Sequence, residues 1–403
     1  MPEPDAGART IRETLDSLRV ADLRPSKRLK WWLFGSEVLP AWVADMDFPV
    51  APPIQRAIQE LLRANDFGYH LVPLSPPLRE ALVARMQERF AWSVDPHLVL
   101  PLVNVVQGID ASILLHSGPG EGVIIQTPIY PPFLAAVAGS GRRLVENPLL
   151  RGRDRFEIDF DRLRASIDPR TRLLLLCNPH NPSGRVFERS ELLALGEIAL
   201  ERDLIVVSDE IHADLAYPGH RHLPFAALGP ELERRTITLT SATKAFNLAG
   251  LPCAFAICGS EALAKPFREL PPHLLGHCGI VDDAATLAAW TQGQPWLDEV
   301  MAYLLENRAL LLDFLARELP GIRVLAPEAT YLAWLDCREL GLASEPFEFF
   351  LKRARVALNR GRDFGTPGEG CVRLNFATSQ AILREILARM AEAVRDPAAS
   401  ARS

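Results

Sequence analysis

The chain has 403 residues, 48% of them hydrophobic and 23% charged, with 44 basic against 50 acidic side chains. That length exceeds a single small core and predicts one large domain plus a smaller one. The net charge of −6 excludes a global attraction to nucleic acid or anionic membrane, and no apolar run is long enough to span a bilayer.

The start of the chain, MPEPDAGARTIRETLD, carries acids and no apolar stretch, so no secretory signal is expected. Short apolar runs then alternate with amphipathic segments. GVIIQTP (122–128), RLLLLCNP (172–179), DLIVVSDE (203–210), TITLTS (236–241) and CAFAICG (253–259) read as buried strands. The segment between 188 and 203 reads as a helix, with Leu192, Leu193, Leu195, Ile198 and Ala199 near helical spacing. Buried strands separated by helices predict an α/β domain with a mostly parallel sheet. After about residue 290 the pattern changes. A long helix (PWLDEVMAYLLENRALLLDFLARELP) precedes strand-like RVLAP and TYLAWLD, a helix over EPFEFFLKRARV, a Gly-rich loop and VRLNFA. This alternation predicts a smaller α+β domain with which the first fifty residues could pack.

Six cysteines, at 177, 253, 258, 278, 337 and 371, show no CxxC pair and no Cys/His ligand spacing. The expectation is reduced, mostly buried thiols in a cytoplasmic protein, not a disulfide framework or a zinc site.

Ligands of open α/β sheets sit at the carboxyl ends of the strands, and three such ends carry polar residues here: Asn178/Asn181, Asp209 and Lys244. Lys244 lies in SATKAFNLAG, and only five of the 44 basic residues are lysines. Arginine stays protonated, whereas a desolvated lysine can lose its proton and act as an amine nucleophile. A lone lysine in a turn is otherwise a solvated surface group. Asp209 could be a helix N-cap, or a carboxylate awaiting a cation such as a protonated pyridine nitrogen. The loop CNPHNPSG (177–184) is turn chemistry by composition, yet a rigidly held amide there could donate to a phenolate oxygen. Tyr130, between prolines in TPIYPPF, is either a surface aromatic packed on prolines or a ring that stacks on a flat cofactor. Ser241 and Thr243 flank the lysine turn, where hydroxyls and free amides suit a phosphate.

Taken together, the NPxNPxG loop, the SDEI strand end and Ser-x-x-Lys, in that order, resemble the fold-type I family of pyridoxal-phosphate enzymes. Within it the chain most resembles the MalY/PatB-type cystathionine β-lyases, which are cysteine–sulfur β-lyases. LPAWVADMDF (39–48), FGYH (67–70), TPIYPPF, CNPHNPSGRVF, SDEIHADLAY, the lysine turn, QPWLD (294–298), ATYLAWLD (329–336) and VRLNFA (372–377) carry that likeness.

The resemblance implies a large domain with a mostly parallel, seven-stranded sheet and a smaller α+β domain. Residues 1–50 would pack with the small domain, 51–288 would form the cofactor-binding domain and 289–403 the small one. Lys244 would hold pyridoxal 5'-phosphate covalently and later move the Cα proton. Asp209 would pair with the ring nitrogen, Asn181 and His212 would lie near the phenolate oxygen, and Tyr130 would stack on the ring. Ser241, Thr243 and backbone amides around Val105 and Val106 would bind phosphate. Tyr69 would reach the phosphate of a neighbouring subunit, implying a homodimer. Arg373 would clamp the substrate carboxylate, helped by Asn181 and by backbone near Ala44; a buried strand arginine is otherwise a structural ion pair.

The implied reaction is β-elimination of a thiol from an L-cysteine thioether, giving pyruvate and ammonia. A small-amino-acid aminotransferase needs the same residues, and a regulatory partner-binding protein on this fold is a third reading. Three stretches depart from the pattern: Asn104 in LVNVVQGI, TSQ after VRLNFA, and ELPPHLLGHCGIVDD (269–283), expected to border the substrate entrance.

Overall fold

The computed structural model describes residues 9–68, 74–271, 274–342 and 344–396. At its centre lies a seven-stranded sheet of β1 (Val99–Leu102), β2 (Gly122–Thr127), β3 (Arg143–Pro148), β4 (Thr171–Cys177), β5 (Ile205–Asp209), β6 (Thr236–Thr240) and β7 (Ala254–Cys258). The spatial order is β1-β7-β6-β5-β4-β2-β3. Only β7 is reversed. It pairs antiparallel with both neighbours, β1 and β6, while the other adjacent pairs are parallel.

The two-residue period of the strands sorts their side chains onto two faces. Val123, Ile125, Leu173 and Leu175 belong to one apolar cluster with Ile109 and Ile113 of the helix Val105–His116. Ile124, Leu174, Leu176 and Val206 belong to a second cluster with Leu192, Leu195, Ile198 and Ala199 of the helix Arg189–Glu201. Each such leucine or isoleucine contributes roughly 1.5–3 kcal/mol through burial. Both faces are thereby covered, as a parallel sheet requires. Gly108 brings the first of these helices close to the sheet, since a Cβ there would stand 2.7 Å from a Leu102 methyl.

The second sheet is antiparallel, in the order β8 (Arg323–Val324), β9 (Leu332–Asp336), β11 (Cys371–Asn375), β10 (Asn359–Arg360). The helices Gln294–Glu318 and Gln380–Arg395 cover it, contributing Leu304, Leu311, Ile386 and Met390 to a shared core with Leu332, Leu335 and Leu374. The expected helix over EPFEFFLKRARV divides into Pro346–Phe349 and a π-helical turn, Phe350–Ala354, which Arg355 ends in the left-handed region at φ 56°.

An early segment joins this second sheet. Leu39–Pro40 pairs in parallel with Val356–Ala357. The amide of Asn375 then donates to Ala41 O at 2.8 Å, and that of Asp47 to Ala377 O at 2.9 Å. Residues 39–47 therefore run along the end of β11, which carries Ala44 to the edge of the large sheet. Among the described residues, no helix is long and apolar enough to cross a membrane, and no acid, histidine or cysteine cluster could hold a metal.

The cysteine expectation needs one correction. Cys177, Cys258, Cys337 and Cys371 are free and buried, but Cys253 and Cys278 form a disulfide, with Cα atoms 5.1 Å apart. The chain folds back after the helix Glu261–Arg268 and lays residue 278 beside the start of β7. Residues 25 apart in sequence carry no local spacing signal, so the pattern of cysteines could not reveal the pair.

Candidate active site

A pocket enclosing about 790 Å³ opens at the carboxyl edge of the large sheet. The ends of β1, β2, β4, β5 and β6 all feed it, because parallel strands deliver their following loops to one side. Ala44, Val105, Val106, Tyr130, Asn181, Asp209, His212, Ser241, Thr243 and Lys244 line it together. Of the residues singled out from sequence, Arg373 reaches this group through Asn181, and Tyr69 lies outside the described residues.

Lys244 follows β6 in a tight turn. Its Nζ donates to Ala44 O at 2.9 Å. Burial pulls the amine down to about 8; the negative charges of Asp45 and Asp209 oppose this shift and Arg373 adds to it. Asp209, the last residue of β5, is buried and accepts one hydrogen bond from the Ile211 amide at 3.0 Å. Burial raises its carboxyl to about 7, with Glu210 adding to the shift and the Ile211 amide and Lys244 resisting it. A short 3-10 turn, Ala213–Leu215, follows in place of the α-helix that an N-capping aspartate would start. His212 is held neutral, down to about 3, by burial and by the positive charges of Lys244 and Arg373. Its buried Nδ1 has no hydrogen-bond partner among the described residues.

The loop after β4 splits its two asparagines between two tasks. Asn178 accepts from the Phe187 amide at 3.0 Å and so serves the loop itself. Asn181 accepts from Arg373 Nη1 at 2.8 Å, and its carbonyl takes the Tyr130 amide at 3.1 Å. Arg373 also donates to Trp42 O at 3.1 Å and to Asn359 Oδ1 at 2.5 Å. Every one of these partners is a neutral oxygen. Among the described residues no carboxylate pairs with this buried guanidinium, whose Nε has no acceptor. Burial lowers it to about 10. A buried cation without an anion is costly.

At the opposite end, Asn104 caps the helix Val105–His116, its Oδ1 taking the Gln107 amide at 2.9 Å. Helix geometry leaves the amides of Val105 and Val106 without intrahelical partners, a natural seat for an anion. The Ser241 and Thr243 hydroxyls lie 2.9 Å apart on the lysine turn, and Ser241 is anchored to Cys253 O at 2.6 Å.

Residues that sequence reasoning left without a role support this frame. Tyr331 donates to Ala44 O at 3.2 Å. Asn375 donates to Val43 O and Asp45 O at 2.6 and 2.8 Å. Asn247, at φ 58°, accepts from the Met46 amide at 3.0 Å and donates to Phe48 O at 2.7 Å. Lys30, fully buried, pairs with Asp47 at 3.0 Å. For Tyr331, Asn375 and Asn247 the only signal was their place within the quoted blocks, since their partners are backbone atoms far away in sequence; Lys30 lies outside those blocks and had none.

The pocket thus brings together an aromatic ring (Tyr130), free helix-end amides, two hydroxyls, a buried carboxylate and an amine. It suits a planar, phosphorylated heterocycle that carries a protonatable ring nitrogen. Comparisons with known proteins agree with this geometry. The family description "Aminotransferase class I and II" matches residues 43–390. Cystathionine beta-lyase PatB of Bacillus subtilis is 38% identical, over 90% of this chain and 94% of its own. The cystathionine beta-lyase of Corynebacterium glutamicum is 34% identical, over 92% and 97%. The solved structure of the PLP-bound C-S lyase from Staphylococcus hominis superposes with a TM-score of 0.88 at 32% identity, covering 95% of this chain and 99% of that one. The chain belongs to the aminotransferase class I and II family.

Proposed function

We propose that this chain is a pyridoxal 5'-phosphate-dependent carbon–sulfur β-lyase that releases a thiol, pyruvate and ammonia from an L-cysteine thioether such as cystathionine. The observation that carries the reading is the meeting, in one pocket, of the Lys244 amine and the buried Asp209 carboxylate. Likeness to cystathionine β-lyases along nearly the whole chain supports the reaction type.

When bound, pyridoxal phosphate supplies the electron sink for the pair released as a Cα–H bond breaks. The residues then divide the work. Asp209 keeps the ring nitrogen protonated, and that proton in turn offsets the carboxylate's own burial. Ser241, Thr243 and the amides of Val105 and Val106 would hold the phosphate, Tyr130 would cover the ring, and Asn181 and His212 would serve its phenolate oxygen. Arg373, Asn181 and the backbone at Ala44 orient the substrate carboxylate. Lys244 would hold the cofactor covalently and, as a free amine, would take the Cα proton; an amine lowered to about 8 is well matched to that task. The C–S bond then breaks with its electron pair leaving on sulfur, and water hydrolyses the remaining three-carbon unit to pyruvate and ammonia.

We also propose that the working form is a homodimer in which Tyr69 reaches the phosphate of the neighbouring subunit. Leu29, Trp32, Leu33 and Leu62 are exposed apolar side chains that a second copy would cover. We propose the same domain scheme, divided at residues 50 and 288, the second division falling within the helix Ile280–Gln292. Four buried free cysteines favour a cytoplasmic setting, with Cys253–Cys278 as the exception.

The test is direct. Purified protein should be yellow with cofactor, Lys244→Ala should lose covalent retention and turnover, and cystathionine should yield pyruvate and a thiol. Amino-group exchange with keto acids and no pyruvate would replace this reading by an aminotransferase. Failure to take up the cofactor would sink both.

A further inference from the structure

The two halves of the proposed phosphate seat come from strands that do not touch. The amides of Val105 and Val106 follow β1, the hydroxyls of Ser241 and Thr243 follow β6, and the reversed strand β7 runs between them. Two strand spacings, roughly 10 Å, must therefore be held fixed by something other than direct pairing.

The segment Leu275–Cys278 runs over the end of β1 and the start of β7, and it lies within one of the stretches that depart from the family pattern. On the β1 side Gln107 clasps it. Gln107 Oε1 accepts from the Val103 amide at 2.9 Å, while Nε2 donates to Leu275 O at 2.9 Å. One side chain thus ties the loop before the helix to the segment. Gly276 sits at φ +65° with the place of a Cβ only 2.9 Å from Val103 Cγ2, so this close approach needs glycine. At its other end Cys278 is joined to Cys253, just before β7, and the Cys253 carbonyl accepts from the Ser241 hydroxyl of the turn after β6 at 2.6 Å.

We propose that Gln107 is a positioning residue for the cofactor's phosphate, fixing the 103–106 loop to the 275–278 strap so that both halves of the seat keep their spacing. This rests on the reading of the pocket as a pyridoxal-phosphate site. The prediction concerns the phosphate alone. The ring end of the pocket, with Asp209, Tyr130 and Asn181, has no contact with Gln107 among those described above.

The experiment compares the affinity of cofactor-free protein for pyridoxal 5'-phosphate with that for pyridoxal, which lacks the phosphate, by absorbance titration. Gln107→Met, of similar length but without either hydrogen bond, should reduce the preference for the phosphate ester about tenfold while leaving pyridoxal affinity unchanged. Gly276→Ala attacks the same junction from the strap side and should do likewise. Both should raise amide hydrogen exchange in 274–279 at an unchanged melting temperature for the rest of the chain. A preference unaltered in both variants, or an equal loss for both aldehydes, would overturn the proposal, the latter by marking Gln107 as a merely structural residue. A wild-type chain that binds neither aldehyde overturns the pyridoxal-phosphate reading and this inference together, and it is visible before any variant is made.

Discussion

Arg373 and Asn181, 192 residues apart in sequence, meet through a 2.8 Å hydrogen bond from Nη1 to Oδ1. The contact joins the central strand pair of the small sheet to the loop after β4, and it sets a guanidinium with only neutral partners against a residue that lines the pocket. A planar fork can take a carboxylate through two parallel bonds, and lysine cannot. Arg373→Lys is therefore expected to raise KM for the amino-acid substrate roughly 10–100-fold, the worth of one or two charge-assisted hydrogen bonds, with a smaller change in kcat. Steady-state kinetics on cystathionine check this; an unchanged KM would remove Arg373 from substrate binding.

Asp209 makes a second expectation. Its carboxyl is raised to about 7 by burial, so it is held as an anion only at a cost that a cationic ring nitrogen would offset. Asp209→Asn keeps the shape and loses the charge. Cofactor should still bind, while kcat falls roughly 10²–10³-fold, in line with the loss of one preorganised electrostatic group. A variant that turns over at the wild-type rate would show that the ring needs no such partner.

Stability should fall with acid in a defined window. His180 and His212 are both buried, and burial lowers them to about 4 and about 3. In the unfolded chain each binds a proton near pH 6.5. Below that pH the unfolded state holds protons that the folded state refuses, so stability present above about 6.5 drains away as pH drops toward 4. The slope approaches about 1.4 kcal/mol per pH unit for each histidine. His180→Asn, which removes a ring bonded to Ser183 at 2.8 Å, should be less stable at pH 7.5 yet show a flatter decline. Urea unfolding at several pH values measures both, and an unchanged slope would refute the assignment.

The shared site can be tested by mixing subunits. If Tyr69 acts across the interface, Tyr69→Ala and Lys244→Ala chains are each impaired alone. Unfolded together and refolded at equal amounts, they should recover about a quarter of wild-type sites, because half of the dimers are hybrids with one intact site of two. No recovery, with dimers present by light scattering, would place Tyr69 in its own subunit's site.

Much of this was legible in the sequence because strand ends concentrate chemistry. GVIIQT, RLLLLC, IVVSD and TITLT are apolar runs that a buried parallel sheet demands, and the polar residues that interrupt them had to face one edge. The edge strand Val99–Leu102 and the outer strand Arg143–Pro148 were harder to see. Pro101 interrupts the first, and in the second Leu144 and Val145 are followed by Glu146, Asn147 and Pro148, so neither has a continuous signal. The reversed direction of β7 left no trace either, since an apolar run reads the same in both senses. The backbone-directed contacts of Tyr331, Asn375, Asn247 and Gln107 were invisible for a different reason. Their partners are carbonyls and amides, which every residue carries, so only the three-dimensional path of residues 42–48 and 274–279 gives those side chains a purpose.

The resting bond from Lys244 to Ala44 O gains a further meaning from Tyr331, whose hydroxyl reaches the same oxygen at 3.2 Å. A buried carbonyl abandoned by its donor would be penalised by about 1–3 kcal/mol. With a second donor in place, the lysine can depart and return while residues 43–45 stay where they are. Ala44 O therefore keeps one hydrogen bond, from Tyr331, whether or not the Lys244 amine supplies the other.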